Sequence, residues 1–161
     1  MSNEKRARLA ESLIREMREF IAGAILNNQR VADRLGIHYT DQQVLNLVDL
    51  LSDAKPGDLA RLTGLTSGGI TMSLDRLEKA GYVRRERNPD DRRSVIIRMV
   101  PDCRRKVLEQ HQTANQIMGK IFAGYGEKEL ALILDFFART NRARVESYQS
   151  QSEAAKNGVR G

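Results

Sequence analysis

The chain has a single cysteine and only two histidines among its 161 residues. One cysteine cannot close an internal disulfide, so a reducing, cytosolic setting is expected. Two histidines without cysteine or acidic residues at ligand spacing do not make a metal site, and no Cys/His zinc pattern occurs. No apolar run is long enough to span a bilayer, and there is no apolar signal-peptide core, so no membrane partner is expected. Internal repeats are absent. No nucleophile and base can be paired, and the abundant carboxylates read as helix-surface groups such as Glu127 and Glu129. Neither an enzyme nor a bound cofactor is therefore expected. The length favours one domain or one intertwined protomer with a real core.

What the chain does have is unevenly placed charge. Its formal net charge is +6. Residues 61–106 hold 12 Lys or Arg against 6 Asp or Glu, so this stretch alone carries the whole excess. A clustered basic excess is the footprint of phosphate binding, although on charge alone a solvated basic face looks the same.

Residues 64–99 supply the pattern that charge lacks. Thr66 is a good N-cap before an apolar-periodic run. Ile70, Leu74 and Leu77 recur at spacings of four and three and so share one helix face. The opposite face carries Gly68, Thr71, Met72, Asp75, Arg76 and Lys79. Gly81 stands where a left-handed, helix-ending residue belongs. A helix over about 66–80 would span roughly 22 Å, enough to lie in a DNA major groove. It reads as the recognition helix of a helix-turn-helix. Residues 82–87 and 94–100 then read as strands, with Val95, Ile97 and Met99 alternating with Ile96, Arg98 and Val100. The loop between them, Asn88-Pro89-Asp90-Asp91-Arg92-Arg93, is too long and too charged for a two-residue turn. It reads as a wing.

The flanking segments read as helices. Over 4–34, Leu9, Leu13, Met17, Phe20, Ala24, Asn28 and Val31 form a stripe flanked by Ile14, Ile21 and Ile25, longer than a small winged domain can cover. Thr40 and Gln43 have capping-box spacing before a helix that buries Val44, Leu45, Leu47, Val48 and Leu51. Pro56 suits the first turn of a short helix to Leu62. After Pro101 a long helix runs to a break at Tyr125-Gly126. A last helix, with Leu130, Ile133, Leu134, Phe137, Asn141 and Val145 on one side, extends to about residue 148.

Leu59-Ala60-Arg61-Leu62, Ser67-Gly68-Gly69-Ile70-Thr71, Leu74-Asp75-Arg76-Leu77-Glu78, Ala80-Gly81-Tyr82-Val83 and the wing triplet Asp91-Arg92-Arg93 occur in this order and spacing. Together they resemble the winged helix-turn-helix of the MarR family of bacterial transcription regulators, and the likeness covers about residues 5–148. It implies a mainly α fold with a small β-hairpin wing, in which a winged helix-turn-helix joins a helical dimerisation region in an intertwined homodimer. The expected layout is an N-terminal dimerisation helix at 1–36, a DNA-binding region at 37–100 with its wing at about 82–100, C-terminal dimerisation helices at 101–148, and a flexible tail at 149–161.

Double-stranded DNA is the expected partner. Ser67 and Thr71 can donate to phosphate or bases, and Arg76 can read guanine or hold phosphate. Met72 can make only apolar contacts. Gly68 and Gly69 are costly at a helix start; they admit either close approach of the backbone to DNA or a close crossing with the preceding helix. Many family members carry a basic residue where this chain has Ser73. Arg92 and Arg93 should enter the minor groove, and the resemblance implies that Asp91 braces them by an ion pair. Peroxide-sensing members carry their reactive cysteine in the first helix and urate-sensing ones use a tryptophan. This first helix has no cysteine and the chain no tryptophan, so Cys103 reads as structural. Arg18, His38 and Tyr39, if they converge, could hold a small aromatic or anionic effector. The function expected is that of a sequence-specific regulator, a repressor, bound to a pseudo-palindromic operator and released by such a ligand. The alternative is a winged-helix protein-interaction module without sequence-specific DNA binding, which would leave the basic wing unexplained.

Overall fold

The structure, a computed structural model, describes residues 3–89, 91 and 93–158, and from residue 148 onward the backbone alone. Six helices and one hairpin follow in the order α1 (Asn3–Leu35), α2 (Tyr39–Leu50), α3 (Pro56–Thr63), α4 (Ser67–Lys79), β1 (Val83–Arg87), β2 (Val95–Met99), α5 (Pro101–Phe122) and α6 (Glu127–Gly158). The mainly α fold with a β-hairpin wing is therefore as expected.

The core lies in the winged segment. Val44, Leu45 and Val48 of α2, Leu59 of α3, and Ile70, Leu74 and Leu77 of α4 pack with Val83, Ile97 and Val107. Burial of this apolar set, one face from each element, drives the assembly of the small domain. The hairpin is antiparallel, with Val83 opposite Met99 and Arg87 opposite Val95. Strand alternation is incomplete in β2, where Ile96 and Ile97 are both buried, so the strand is covered on two sides. Ala54 supplies part of that cover. Its carbonyl accepts the Ile97 N–H at 2.8 Å, an added bridge beside the hairpin that no periodicity announces.

The ends of α4 are closed by local chemistry. Thr66 accepts the Gly69 N–H on its side-chain oxygen at 3.1 Å, as an N-cap should. At the other end Gly81 has φ 77°, its N–H meets the Glu78 carbonyl, and the Tyr82 N–H meets the Leu77 carbonyl. That is the Schellman arrangement, which needs a residue in the left-handed region and so favours glycine. The Tyr82 hydroxyl then donates to the Leu35 carbonyl at 2.9 Å, fixing the base of the wing to the end of α1.

Two local expectations are corrected. The capping box of Thr40 and Gln43 does not form: α2 begins one residue earlier, at Tyr39, with His38 as its N-cap and no side-chain hydrogen bond there. The chain leaves Gly36 at φ 67° and is already extended at His38, so the helix starts before Thr40 can act. At the other end of the chain α6 runs to Gly158, beyond the expected end at 148. The added segment, rich in Gln, Ser, Glu, Ala and Lys, has few residues that oppose a helix before its glycine.

The long helices bury little of their apolar stripes within one protomer. Of the α1 stripe only Val31 is buried, while Leu9, Leu13, Phe20 and Ile21 are exposed. Ile117, Ile121 and Phe122 of α5 and Leu132, Leu134, Phe136 and Phe137 of α6 are exposed as well. Polar links tie α5 to its neighbours: Arg104 Nε donates to Asp49 of α2 at 2.6 Å, and Arg34 of α1 donates to Gln110 at 2.6 Å.

Candidate nucleic-acid interface

Helix α4 presents a free outer ridge between two fastened flanks. Ile70, Ser73, Leu74 and Leu77 are buried. Ser67, Gly68, Gly69, Thr71, Met72, Asp75, Arg76 and Lys79 include the outward positions, and Met72 is 62% exposed.

The flank facing α2 is fastened by a carboxylate that sequence reasoning did not single out. Asp41 is 2% exposed. Its Oδ1 accepts the Ser73 hydroxyl and Arg76 Nη2, each at 2.7 Å, and its Oδ2 accepts Arg76 Nε at 2.8 Å. Burial alone would push the Asp41 carboxyl up. The hydrogen bonds from Arg76 and Ser73, with the nearby charges of Arg76 and His38, outweigh that and hold it below the usual carboxylate range. Ser73 is thus a buried donor to Asp41. Arg76 is engaged through Nε and Nη2, and only the rest of its guanidinium is available to an external group. The signal that could have found Asp41 is an acidic residue at a position flanked by the buried Gln42, Val44 and Leu45 of α2.

The flank facing the wing is fastened by Arg85. Its Nη2 donates to Asp75 at 2.6 Å, its Nη1 to Glu78, and its backbone N–H to Glu78 Oε1 at 3.1 Å. The recognition helix and the first wing strand are therefore held as a unit.

The two glycines at the start of α4 are resolved differently by their surroundings. A Cβ at Gly68 would meet nothing within 4 Å. One at Gly69 would come within 3.3 Å of the capping Thr66 Oγ1 and 3.7 Å of Leu65. No α3 atom crowds either position, so a close crossing with that helix is not what keeps them small. Ser67 has its carbonyl occupied by the Thr71 hydroxyl at 2.9 Å, which leaves the Thr71 oxygen only as an acceptor until that bond opens.

The wing loop is closed by Asn88 and Ser94, whose side chains meet at 2.9 Å. Asp91 Oδ1 accepts the backbone N–H of Arg93 at 3.0 Å. Asp91 thus shapes the turn through the backbone; the expected ion pair to the wing arginines involves Arg92 and so lies in part outside the described residues. Asp and Asn side chains readily hydrogen-bond a backbone group two residues on. Arg93 is exposed. Arg92 lies outside the described residues.

Arg18, His38 and Tyr39 do not come together within a protomer. Helix α1 is unbroken from Asn3 to Leu35, so seventeen helical steps part Arg18 from Leu35, a distance of about 25 Å. His38 and Tyr39 lie beyond that end. No pocket joining all three can be built from one protomer. The Cys103 thiol donates to the Gly81 carbonyl at 3.2 Å, consistent with a structural part in the turn after α4. Among the described residues no group of three His, Cys, Asp or Glu could hold a metal ion, and no described helix is long and apolar enough to cross a membrane.

A three-helix unit with a laced recognition helix and a two-stranded wing defines a winged helix-turn-helix. The family model described as MarR family matches residues 31–94. An uncharacterised HTH-type transcriptional regulator of Bacillus subtilis, YcgE, is 33% identical over 141 residues, covering 86% of this chain and 90% of that protein. The multiple antibiotic resistance protein MarR of Salmonella typhimurium is 30% identical over 92 residues, covering 57% of this chain and 62% of its own length. Among solved structures, the transcriptional regulator Tm0710 of Thermotoga maritima superposes with a TM-score of 0.59 at 22% identity, covering 86% of this chain and 98% of that one. Wild-type apo MarR from E. coli superposes with a TM-score of 0.56 at 21% identity over 80% of this chain and 95% of its own; these two structural likenesses speak to the fold. The chain belongs to the MarR family, whose members are DNA-binding transcription regulators and not enzymes.

Proposed function

We propose that this protein acts as a homodimeric repressor that reads a pseudo-palindromic operator by laying one α4 helix into the major groove of each half-site. The observation that carries this reading is the pairing on α4. Both flanks are tied to the rest of the domain, while the ridge of Gly68, Met72 and Lys79 faces out with no partner among the described residues. A rigid helix with its readout side free suits base contacts, because the backbone that presents those side chains is already fixed before binding.

The exposed apolar residues of α1, α5 and α6 support the dimer. They are too many and too contiguous to be left in water, and partner helices of a second copy would cover them. Two-fold symmetry then sets the operator, with half-sites about one helical turn apart. Repression follows where such a dimer covers promoter DNA. Arg18 and His38 lie apart within the protomer, so a small aromatic or anionic effector held by Arg18, His38 and Tyr39 would take Arg18 from one copy and the other two from its partner.

Two measurements test it together. Sedimentation should give a dimer at micromolar protein. Gel shifts with genomic fragments in the presence of competitor DNA should retain a small subset. Retention of none, with a folded dimer, would favour the protein-interaction module instead.

A further inference from the structure

The basic excess that marks residues 61–106 is not one uniform surface. Six of its cations are already held by carboxylates: Arg61 by Asp58, Arg76 by Asp41, Arg84 by Glu86, Arg85 by Asp75 and Glu78, Arg98 by Asp53, and Arg104 by Asp49. An arginine held this way gains less from a phosphate, because the carboxylate beside it offsets its charge and repels the same phosphate. Lys79, Arg87, Arg93, Arg105 and Lys106 have no such partner among the described residues.

Geometry selects two of these beyond the wing arginine already considered. Lys79 lies seven residues after Met72, two helical turns along the same outward ridge of α4, and it is exposed. It closes the far end of that ridge, where a helix entering a groove at its N-terminus passes the backbone. Arg87 is exposed on β1. Side chains alternate along a strand, so Arg87 shares a face with Val83 and Arg85. Val83 packs in the core with Leu77, and Arg85 reaches Asp75 and Glu78, so that face looks toward α4. Arg87 stands about 7 Å further along it, beside the wing loop. Arg105 and Lys106 belong to α5, which leaves the hairpin at the Val83–Met99 end, opposite the loop.

We infer that Lys79 and Arg87 are phosphate-contacting residues that frame the recognition helix, one at the end of its ridge and one between it and the wing, whereas Arg85 and Arg98, paired across elements, and Arg84, paired with Glu86 on its own strand, do not bind DNA. Lys79 and Arg87 fix register and orientation on the duplex and carry no base preference. This inference rests on the DNA-binding reading above.

The test is a salt series of binding to a mixed-sequence duplex, followed by fluorescence anisotropy, because phosphate contacts act without regard to sequence. Lys79→Gln and Arg87→Gln should each flatten the slope of log affinity against log salt by about 0.9 per bound protomer. Arg84→Gln removes the same charge and should leave the slope as it is. Arg87→Lys should restore it. Thermal melts check that each variant folds, which is expected because Lys79, Arg84 and Arg87 are all exposed. If Arg84→Gln flattens the slope as much as Lys79→Gln and Arg87→Gln, net charge sets the binding and the partition is overturned. If the two variants keep the wild-type slope, the assignment of these residues is overturned while DNA binding stands. A wild type with no salt-dependent affinity overturns the inference and the DNA-binding reading together.

Discussion

Arg76 of the recognition helix meets Asp41 of α2 through two parallel hydrogen bonds, 2.8 Å from Nε to Oδ2 and 2.7 Å from Nη2 to Oδ1. The carboxylate is buried and also takes the Ser73 hydroxyl. A fork of this kind fixes a guanidinium in direction as well as position. The recognition helix is thereby set against α2 by a charged contact as well as by packing.

Replacing Asp41 by Ala leaves the Ser73 hydroxyl buried without its acceptor and Arg76 without its anchor. The expected loss is about 2–3 kcal/mol of folding stability, the range for removing one partner of a charged, buried hydrogen-bond set. Urea unfolding reads it. The wild type adds a pH signature. The Asp41 carboxyl is held below its usual value of 3.8 in the fold. Its contribution is therefore complete above that pH and is lost as acid protonates the unfolded chain first. Asp41→Asn should show a flatter decline in stability below pH 4, roughly, than the wild type.

His111 of α5 supplies a second, separate pH dependence. Burial lowers its pKa, the Arg34 charge lowers it further, and Asp49 opposes both in part. Its Nε2 is buried without a protein partner among the described residues. The fold therefore prefers the neutral ring. Stability is complete above the ordinary value of 6.5 and falls as pH drops below it, because the unfolded chain takes the proton first. Melting temperatures should decline from about pH 7 to about pH 5, and His111→Gln should remove part of that decline. An unchanged pH profile in the variant would assign the decline to other groups.

Thr66 and Gly81 close the two ends of α4 and should be costly to change for different reasons. Thr66→Ala removes the acceptor for the Gly69 N–H and should cost about 1 kcal/mol. Gly81→Ala forces a side chain into the left-handed region, at φ 77°, and should cost about 1–2 kcal/mol. Chemical denaturation of each variant checks both.

Gly68 offers a change in which stability and binding should move in opposite directions. With open space around the position, Gly68→Ala should stabilise the helix by up to about 1 kcal/mol. The same methyl should weaken duplex binding if the helix start lies against the phosphate backbone. A stabilised variant with unchanged affinity would show that the glycine serves no close approach to DNA.

The recognition helix was legible because its signals are local. Thr66, the spacing of Ile70, Leu74 and Leu77, and Gly81 all act within one helix length, and each is found in its expected place. The Asp41 fork was not legible, since 35 positions separate its two partners and an aspartate near a helix start has an ordinary surface explanation. The same holds for Arg85 on Asp75 and Glu78, and for the Ala54 bridge to Ile97. Charge counting located the basic segment but could not say which cations were already taken. Arg18 cannot meet His38 and Tyr39 in the same chain, because residues at the middle and beyond the end of one straight helix are parted by its length.

Selection of two-fold DNA by α4 is tested most directly by recovering bound duplexes from a randomised pool with the intact protein and sequencing what is retained. The expected result is enrichment of an inverted repeat whose half-site centres lie about one helical turn apart, and loss of the enrichment with Met72→Glu, which puts a charge against the bases. Retained sequences that show no repeat and match the input pool would contradict it.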